Sequence, residues 1–139
     1  MRTKLFLSAL ILVSFQCNQR NKKSALQGTW KIDSVYSFYN GFGYTKYDVE
    51  EQPLRHYLAD RKLMMTRGEE KRFFIYALEG DSLIHRDADK KFLERFFVER
   101  LDGHNLVLRK ELQPVFQGNN QRRYEIRYFS KVEGYPGKE

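Results

Sequence analysis

Cys17 has the most specific chemistry in this chain, because it is the single cysteine among 139 residues. Residues 5–13, which precede it, are uncharged and mostly apolar, and they follow the basic side chains of Arg2 and Lys4. A membrane-spanning helix needs about 20 apolar residues, so this run is too short to cross a bilayer. A basic start and a short apolar run are typical of an export signal. We therefore predict a signal peptide over residues 1–16, with a buried structural cysteine in a cytosolic protein as the alternative.

The other side chains that could do chemistry form no known catalytic or metal-binding pattern. His56, His85 and His104 each lack a second His or Cys two to five residues away, as zinc sites often have. The sequence has no Gly-x-Ser-x-Gly motif, and its adjacent acidic pairs would point to opposite sides of a strand. The sequence therefore predicts no catalytic residue, no metal ligand and no cofactor, and the protein is not expected to be an enzyme.

The charge of the chain is basic, with 25 Lys and Arg against 18 Asp and Glu, a formal +7. Loss of residues 1–16 would remove Arg2 and Lys4 and leave 23 basic and 18 acidic residues, or +5. Basic and aromatic residues together are typical of single-strand nucleic-acid platforms. An exported protein does not meet that partner, so we expect no nucleic acid. The basic residues alternate with acids along the chain, as expected of a solvated surface.

From residue 26 onward, short apolar runs alternate with turn residues, a pattern that predicts antiparallel strands joined by hairpins. Asp102-Gly103 marks the clearest hairpin, because Gly tolerates the backbone angles of a tight turn. The predicted strands cover 28–39, 43–50, 54–59, 62–67, 71–78, 81–87, 91–101, 104–112 and 121–132.

Side-chain alternation predicts which residues share a face of each strand. In the first strand Trp30, Ile32, Tyr36 and Phe38 fall on one face. Apolar residues within 91–101 also recur at helical spacing, so a short helix near 88–93 leading into a strand is the alternative there. About eight such strands are expected to close into an up-and-down barrel, because closure removes exposed edges. The fold class is therefore an all-β antiparallel barrel.

The start of the first strand, Gly28-Thr29-Trp30, resembles the Gly-x-Trp motif of lipocalins. In that family the Trp plugs the closed end of the barrel and an Arg of the last strand packs across it. The resemblance therefore implies a structural, barrel-closing role for Gly28 and Trp30, with Arg127 as the covering residue, or failing that Arg123.

The segment 13–17, Val-Ser-Phe-Gln-Cys, resembles a bacterial lipoprotein signal, in which the Cys thiol is acylated. Together with the barrel pattern, the layout is similar to small lipocalin-like lipoproteins of Bacteroidota. The resemblance implies lipidation at Cys17 and a signal peptide over 1–16. It also implies a flexible tether over 17–25, a barrel over 26–132 and a C-terminal tail over 133–139.

The interior of the barrel would decide its function, because eight strands enclose space for side chains or for one small ligand. The chain after residue 16 carries nine Phe, nine Tyr and one Trp, enough rings to fill the barrel or to line a pocket. The candidate cavity-lining residues are Tyr36, Phe38, Met64, Phe74, Tyr76, Phe96 and Tyr128.

These inferences together predict a lipid-anchored protein of the bacterial cell envelope that faces the periplasm. Its partners would be the membrane, through the anchor, and a small hydrophobic ligand held or carried in the barrel. The alternative is a filled barrel that acts as an interaction module for another envelope protein, with the basic turns or the loop around Gly41 and Gly43 as its contact surface.

Overall fold

The computed structural model describes residues 20–47, 49, 51–116 and 120–134. A short helix, α1 (20–26), precedes nine strands. Cys17 and the signal segment lie outside the described residues. The strands are β1 (Gly28–Tyr39), β2 (Phe42–Lys46), β3 (Leu54–Tyr57), β4 (Lys62–Arg67), β5 (Glu70–Glu79), β6 (Ser82–Arg86), β7 (Phe92–Leu101), β8 (Asn105–Glu111) and β9 (Arg123–Val132), with a 3-10 turn at Ala59–Arg61 between β3 and β4.

The sheet closes on itself through β1, which pairs with β9 along one edge. Its other edge pairs with β3 over Gly28–Trp30 and with β2 over Val35–Tyr39, so β2 and β3 lie end to end. The eight strands β1 and β3 to β9 form the closed barrel, and β2 extends one side of it. The prediction of an all-β antiparallel barrel is confirmed.

Most turns form where turn residues were predicted. At the hairpin between β7 and β8, the Asp102 carboxylate accepts hydrogen bonds from the backbone N–H groups of His104 and Asn105, at 2.9 and 2.8 Å. This Asx turn fixes the reversal without help from the rest of the barrel. Gly41 follows β1 with φ of +93°, an angle that a residue with a Cβ rarely adopts.

One end of the barrel, here called the closed end, is sealed by α1. Leu26, the last residue of α1, is fully buried, and its carbonyl accepts a 2.8 Å hydrogen bond from the indole N–H of Trp30. Lys22 of α1 pairs with Asp81 in the turn between β5 and β6. Part of the segment predicted as a flexible tether is therefore helical. The core behind this seal includes the fully buried Leu63, Leu83, Phe96, Leu106 and Leu108.

The helix considered near 88–93 does not form. Residues 88–89 make a turn, Lys90 adopts a left-handed φ of +66°, and β7 begins at Phe92. The pairing of β7 shifts register at both of its edges, between His85 and Arg86 on β6 and between Val98 and Arg100 of β7 itself. Each bulge adds a residue to the alternation, which explains why a strand here resembled a helix in sequence.

A bulge in β1 inverts the predicted face of the second half of that strand. The pairing with β9 shifts between Ile32 and Ser34, so Asp33 is an extra residue, and its carboxylate accepts a 2.9 Å hydrogen bond from Ser130. Trp30 and Ile32 therefore face the interior, whereas Tyr36 and Phe38 face outward. The prediction that these four residues share a face is wrong, because a bulge moves every later side chain to the opposite face.

Candidate functional site

The residue that covers Trp30 at the closed end is Lys131. It lies directly opposite Trp30 in the β1–β9 register, and its Nζ is 5.2 Å from the centre of the indole ring. The lipocalin resemblance implied Arg127 for this role, but Arg127 pairs opposite Val35, four positions earlier on β9, and packs over Phe96. Arg123 lies still farther along, beside Tyr39. The register between two strands distant in sequence decides which cation covers the ring.

Three of the predicted cavity-lining residues face the barrel interior. Phe96 is fully buried, Tyr76 is buried, and Phe74 is half-buried and packs against the core. The Tyr76 hydroxyl donates a 2.9 Å hydrogen bond to the Leu58 carbonyl, and the Tyr76 ring meets that of Tyr57 edge to face at 5.1 Å. These residues form walls of the interior.

The other four face outward. Phe38 stacks on Tyr124 of β9 with ring centres 4.8 Å apart, and Tyr36 covers Gly43 of β2. Tyr128 is 39% exposed. Met64 pairs with His56 on the outer face of β3 and β4, one position from the inward-facing Leu63. The β1 bulge explains the first two corrections, and the alternation of β4 and β9 explains the others.

The interior toward the other end of the barrel, here called the open end, is lined by charged and polar side chains that were not predicted to meet there. We call this set the inner polar cluster: Arg55, Tyr57, His85, Glu94, Lys110, Glu125 and Arg127.

A chain of hydrogen bonds joins four members of the inner polar cluster. The Tyr57 hydroxyl is 3.1 Å from His85 Nε2, and His85 Nδ1 is 3.2 Å from a Glu94 carboxylate oxygen. The other carboxylate oxygen accepts a 2.9 Å hydrogen bond from Lys110. A carboxylate accepts only, so His85 donates from Nδ1 and accepts at Nε2 from Tyr57. The neutral Nδ1–H tautomer satisfies the whole chain.

The pKa shifts in this chain agree with that assignment. Burial lowers the pKa of His85, against the opposing effect of Glu94, which keeps the imidazole neutral. Burial alone would raise the pKa of Glu94, but the hydrogen bonds from His85 and Lys110 outweigh it and lower the pKa from 4.5 to about 2. Glu94 is therefore ionised throughout the physiological range.

A hydroxyl, an imidazole and a carboxylate in sequence is the arrangement of a nucleophilic triad. Here the hydroxyl belongs to Tyr57, which is 1% exposed, and burial raises its pKa despite the nearby charge of Arg55. A phenol of raised pKa without access to solvent is a poor nucleophile. We interpret this arrangement as one that fixes the orientation of His85 and Glu94 inside the barrel.

Three cations converge on the ring of Phe96. The charged groups of Arg55, Lys110 and Arg127 lie 5.5, 5.7 and 5.2 Å from its centre. Cations over an aromatic face are attracted by its quadrupole, and more strongly where water is excluded. Arg127 also donates a 3.0 Å hydrogen bond to Glu125 on its own strand. Phe96 thus forms the floor of the inner polar cluster.

Arg55 is the most buried of the three cations and differs from the others in its partners. It is 7% exposed and also lies over Phe129, at 4.9 Å from the ring centre. Within the described residues it forms no ion pair with a carboxylate, and its Nη1 atom is buried without a hydrogen-bond partner. Buried donors without partners are rare in folded proteins.

The two ends of the barrel differ in exposure. At the open end the side chains of Glu94, Lys110 and Arg127 are 20%, 27% and 21% exposed. Phe96 and Leu108, nearer the closed end, are fully buried. The half of the barrel next to α1 is therefore filled by side chains, and solvent reaches the interior from the open end.

Two grooves open at that end. One, of about 170 Å³, lies over the inward-facing Met65 and Phe74, beside Pro53. The other, also about 170 Å³, lies beside Ser37 and Tyr39 of β1. A drug-sized ligand site typically occupies about 300 to 1,000 Å³, so each groove alone accommodates only part of such a molecule.

The remaining histidines have separate environments. His56 lies on the outer face but is buried, with its two ring nitrogens 2.9 and 2.8 Å from the hydroxyls of Thr29 and Thr66, and burial lowers its pKa. His104 lies in the Asp102 hairpin. No cluster of three His, Cys, Asp or Glu side chains suited to a metal ion occurs in the part of the chain that the structure describes.

Exposed aromatic and apolar side chains gather around the β1–β2 hairpin. Phe42 and Tyr44 point to the same side of β2, at 80% and 68% exposed, and Tyr47 follows them. The hairpin turn is bonded to the segment between β8 and β9, because Asn40 and Arg122 exchange two hydrogen bonds. We call the exposed group at this end the hairpin-tip surface: Phe42, Tyr44, Tyr47, Val115 and Phe116.

Comparisons of the chain with protein-family models, with curated proteins and with solved structures find no match. Among the described residues, no helix has both the length and the apolar character that crossing a bilayer requires.

Proposed function

We propose that this protein is a lipid-anchored lipoprotein of the bacterial cell envelope that faces the periplasm and binds a small hydrophobic ligand in the open end of its barrel. The observation that carries the ligand proposal is the difference between the two ends. Side chains fill the half next to α1, whereas solvent reaches the interior residues of the other half. An eight-stranded barrel of this kind offers room for one small molecule at its mouth.

The walls of the open half fit an amphiphile better than a wholly apolar compound. Met65 and Phe74 supply apolar surface near the mouth. Deeper in the interior, Lys110 and Arg127 supply polar contacts. Ligand pockets commonly combine apolar walls with a few polar groups that fix orientation. A compound with an apolar part and a polar group matches that distribution.

The ligand proposal is tested by the same substitution on the two faces of β1. Ser37 is opposite Glu125 on the inner face, whereas Ser34 is opposite Tyr128 on the outer face. A Trp at position 37 would occupy the mouth of the barrel, and a Trp at position 34 would leave it open. Native mass spectrometry of the purified proteins should show a bound small molecule in wild type and Ser34→Trp, with loss from Ser37→Trp. A compound retained equally by both variants would place it outside the barrel and contradict the proposal.

The anchor proposal depends on Cys17, which follows the apolar run at 5–13. Several acyl chains at about 0.8 kcal/mol per buried methylene would hold the protein on a membrane permanently. Cells labelled with radioactive palmitate should incorporate label into wild type and not into Cys17→Ala. Cys17→Ala should also move to the fraction that remains in solution after membranes are sedimented. Equal labelling of the two proteins would exclude this anchor.

A second candidate function, interaction with another envelope protein, is favoured by the hairpin-tip surface. Phe42 and Tyr44 lie on the same side of β2 and are 80% and 68% exposed, and exposed apolar patches often mark interaction sites. A photo-crosslinking amino acid at position 44 should form a discrete adduct in cells, and the adduct should disappear in Phe42→Ser. The same probe at position 73, an exposed position on β5, is the control. Adducts of equal yield at both positions would indicate nonspecific contact.

A further inference from the structure

We infer, on the basis of the proposed function, that the ligand is an amphiphile with one negatively charged head group, a carboxylate or a phosphate monoester, held by Arg55. The head group would lie in the inner polar cluster above Phe96, and the apolar part would extend toward the open end.

The inner polar cluster contains one more cation than carboxylates. Lys110 donates to Glu94 and Arg127 donates to Glu125, which accounts for two cations and two carboxylates. His85 is held neutral by burial. Arg55 remains as a third cation: its charge helps to lower the pKa of Glu94 and it donates to the Tyr57 hydroxyl, but within the described residues it forms no ion pair of its own. A single anionic head group would compensate the excess positive charge of this cluster.

The hydrogen bonds of Arg55 point to the same ligand. Its Nη1 atom is buried and has no partner in the described residues. A guanidinium presents parallel N–H groups that match the two oxygens of a carboxylate or phosphate. A neutral polar group such as an alcohol would satisfy one donor without balancing the charge. An anion therefore accounts for both the unsatisfied donor and the excess charge, whereas a neutral ligand accounts for the donor alone.

The two other cations over the Phe96 ring, Lys110 and Arg127, control access to Arg55. Lys110 and Arg127 are each more than one-fifth exposed, and both have long flexible side chains. They can rotate toward the open end without disturbing the backbone of β8 or β9. Because both are positive, they would also attract the incoming head group.

The orientation of the ligand follows from the packing on each side of Arg55. Toward the closed end, the next inward-facing residue of β3 is Tyr57, which is 1% exposed, and Trp30, directly beside Arg55 on β1, is fully buried. An alkyl chain therefore has no room in that direction. On its other side Arg55 has Met65 of β4 as its cross-strand neighbour, and Met65 lines the 170 Å³ groove of the open end together with Phe74 and Pro53. The head group enters first and the chain remains near the mouth.

Three ten-carbon probes that differ only in head group test this inference: decanoate, decyl phosphate and decanol. Binding is measured by isothermal titration calorimetry, and by the fluorescence of Trp30, the single tryptophan and the neighbour of Arg55. We expect both anionic probes to bind wild type at least about tenfold more tightly than decanol, because a charge-assisted fork adds to the apolar contact. Acetate and inorganic phosphate are titrated in parallel as free anions.

The variant Arg55→Gln should abolish the preference for anionic probes, and Arg55→Lys, which keeps the charge without the fork, should reduce it. Arg95→Gln is the matched control, because Arg95 is exposed on the outer side of β7 next to Phe96. It removes the same charge and should leave the preference unchanged. Circular dichroism confirms that each variant is folded.

The outcomes separate this inference from the proposed function. Equal binding of all three probes to wild type would overturn the anionic head group while the hydrophobic ligand remained. Failure of every ten-carbon probe to bind would contradict the proposed function as well. Acetate or inorganic phosphate binding as tightly as decanoate or decyl phosphate would overturn the amphiphile and assign the site to a free anion.

Discussion

Glu94 offers the sharpest test of the inner polar cluster, because protonation should cost the fold a defined amount of stability. The hydrogen bonds from His85 and Lys110 lower its pKa from 4.5 to about 2. A folded-state pKa below the unfolded value stabilises the protein above pH 4.5, and this stabilisation is lost as the pH falls toward 2. The difference corresponds to about 3 kcal/mol of unfolding free energy.

The perturbation is Glu94→Gln, since an amide resembles the protonated carboxyl group and cannot titrate. Urea unfolding of wild type and variant is measured between pH 7 and pH 2. We expect wild type to be more stable by about 3 kcal/mol at neutral pH, and this advantage to vanish near pH 2. Burial keeps His85 neutral in the folded state, whereas the unfolded chain can protonate it at low pH. The resulting loss of stability is expected in both wild type and Glu94→Gln.

Glu99→Gln is the control for this experiment. Glu99 lies on the outside of the barrel, 3.8 Å from Arg109, with a more exposed side chain than Glu94. Exposed ion pairs contribute about 0 to 1 kcal/mol, so its curve should follow that of wild type. A stability difference between wild type and Glu94→Gln that stayed constant from pH 7 to pH 2 would refute the charged arrangement described for Glu94.

Three further predictions concern the closed end and the hydrogen-bond chain. Gly28→Ala should destabilise the protein by about 1 to 3 kcal/mol in urea unfolding, because Gly28 has a φ of +130° and an added Cβ would lie 2.6 Å from Lys131 Cε. Tyr57→Phe should cost about 1 to 3 kcal/mol in the same assay, because it removes the donor to buried His85 Nε2. Lys131→Met should shift the fluorescence emission of Trp30, because it removes the charge 5.2 Å from the indole.

Each of these predictions has a matched control. Gly68→Ala also places a Cβ at positive φ but meets no atom within 4 Å, so it should cost less than Gly28→Ala. Tyr44→Phe removes an exposed hydroxyl and should leave stability unchanged. Arg127→Met removes a charge that lies over Phe96, so Trp30 emission should stay as in wild type. A larger emission shift with Arg127→Met than with Lys131→Met would contradict the assignment of the covering cation.

The strands and turns of this barrel could be predicted from sequence because their signals are local. Asp102 and Gly103 specify their hairpin through bonds within the turn itself. The face of β1 beyond Ile32 could not be predicted, because the bulge at Asp33 depends on the pairing with β9 and on Ser130, about a hundred residues later. Lys131 covers Trp30 where Arg127 was predicted, and this difference has the same cause, the register of strands that are distant in sequence.

The alternation of residues along the strands indicated the inner polar cluster, but the usual exposure of charged residues argued against that interpretation. Glu94 is two residues from Phe96, Lys110 is two from Leu108, and Arg127 is two from Phe129. Alternation alone would place all three charged side chains on the inner face. Charged residues are mostly exposed, so the basic and acidic residues were expected on the surface, apart from Arg127, which was expected beside Trp30. Only the cross-strand pairing shows that carboxylates and cations from different strands meet there.

The bulge in β1 also determines how much of the barrel interior is not filled by side chains. Without Asp33, the rings of Tyr36 and Phe38 would point inward from a strand that now presents Val35, Ser37 and Tyr39 there. The open half would then receive the rings of Tyr36 and Phe38 in place of Ser37 and the single ring of Tyr39, and its capacity would fall. Deletion of the codon for Asp33 would therefore narrow the open half of the barrel, with the strand order and the hairpins unchanged.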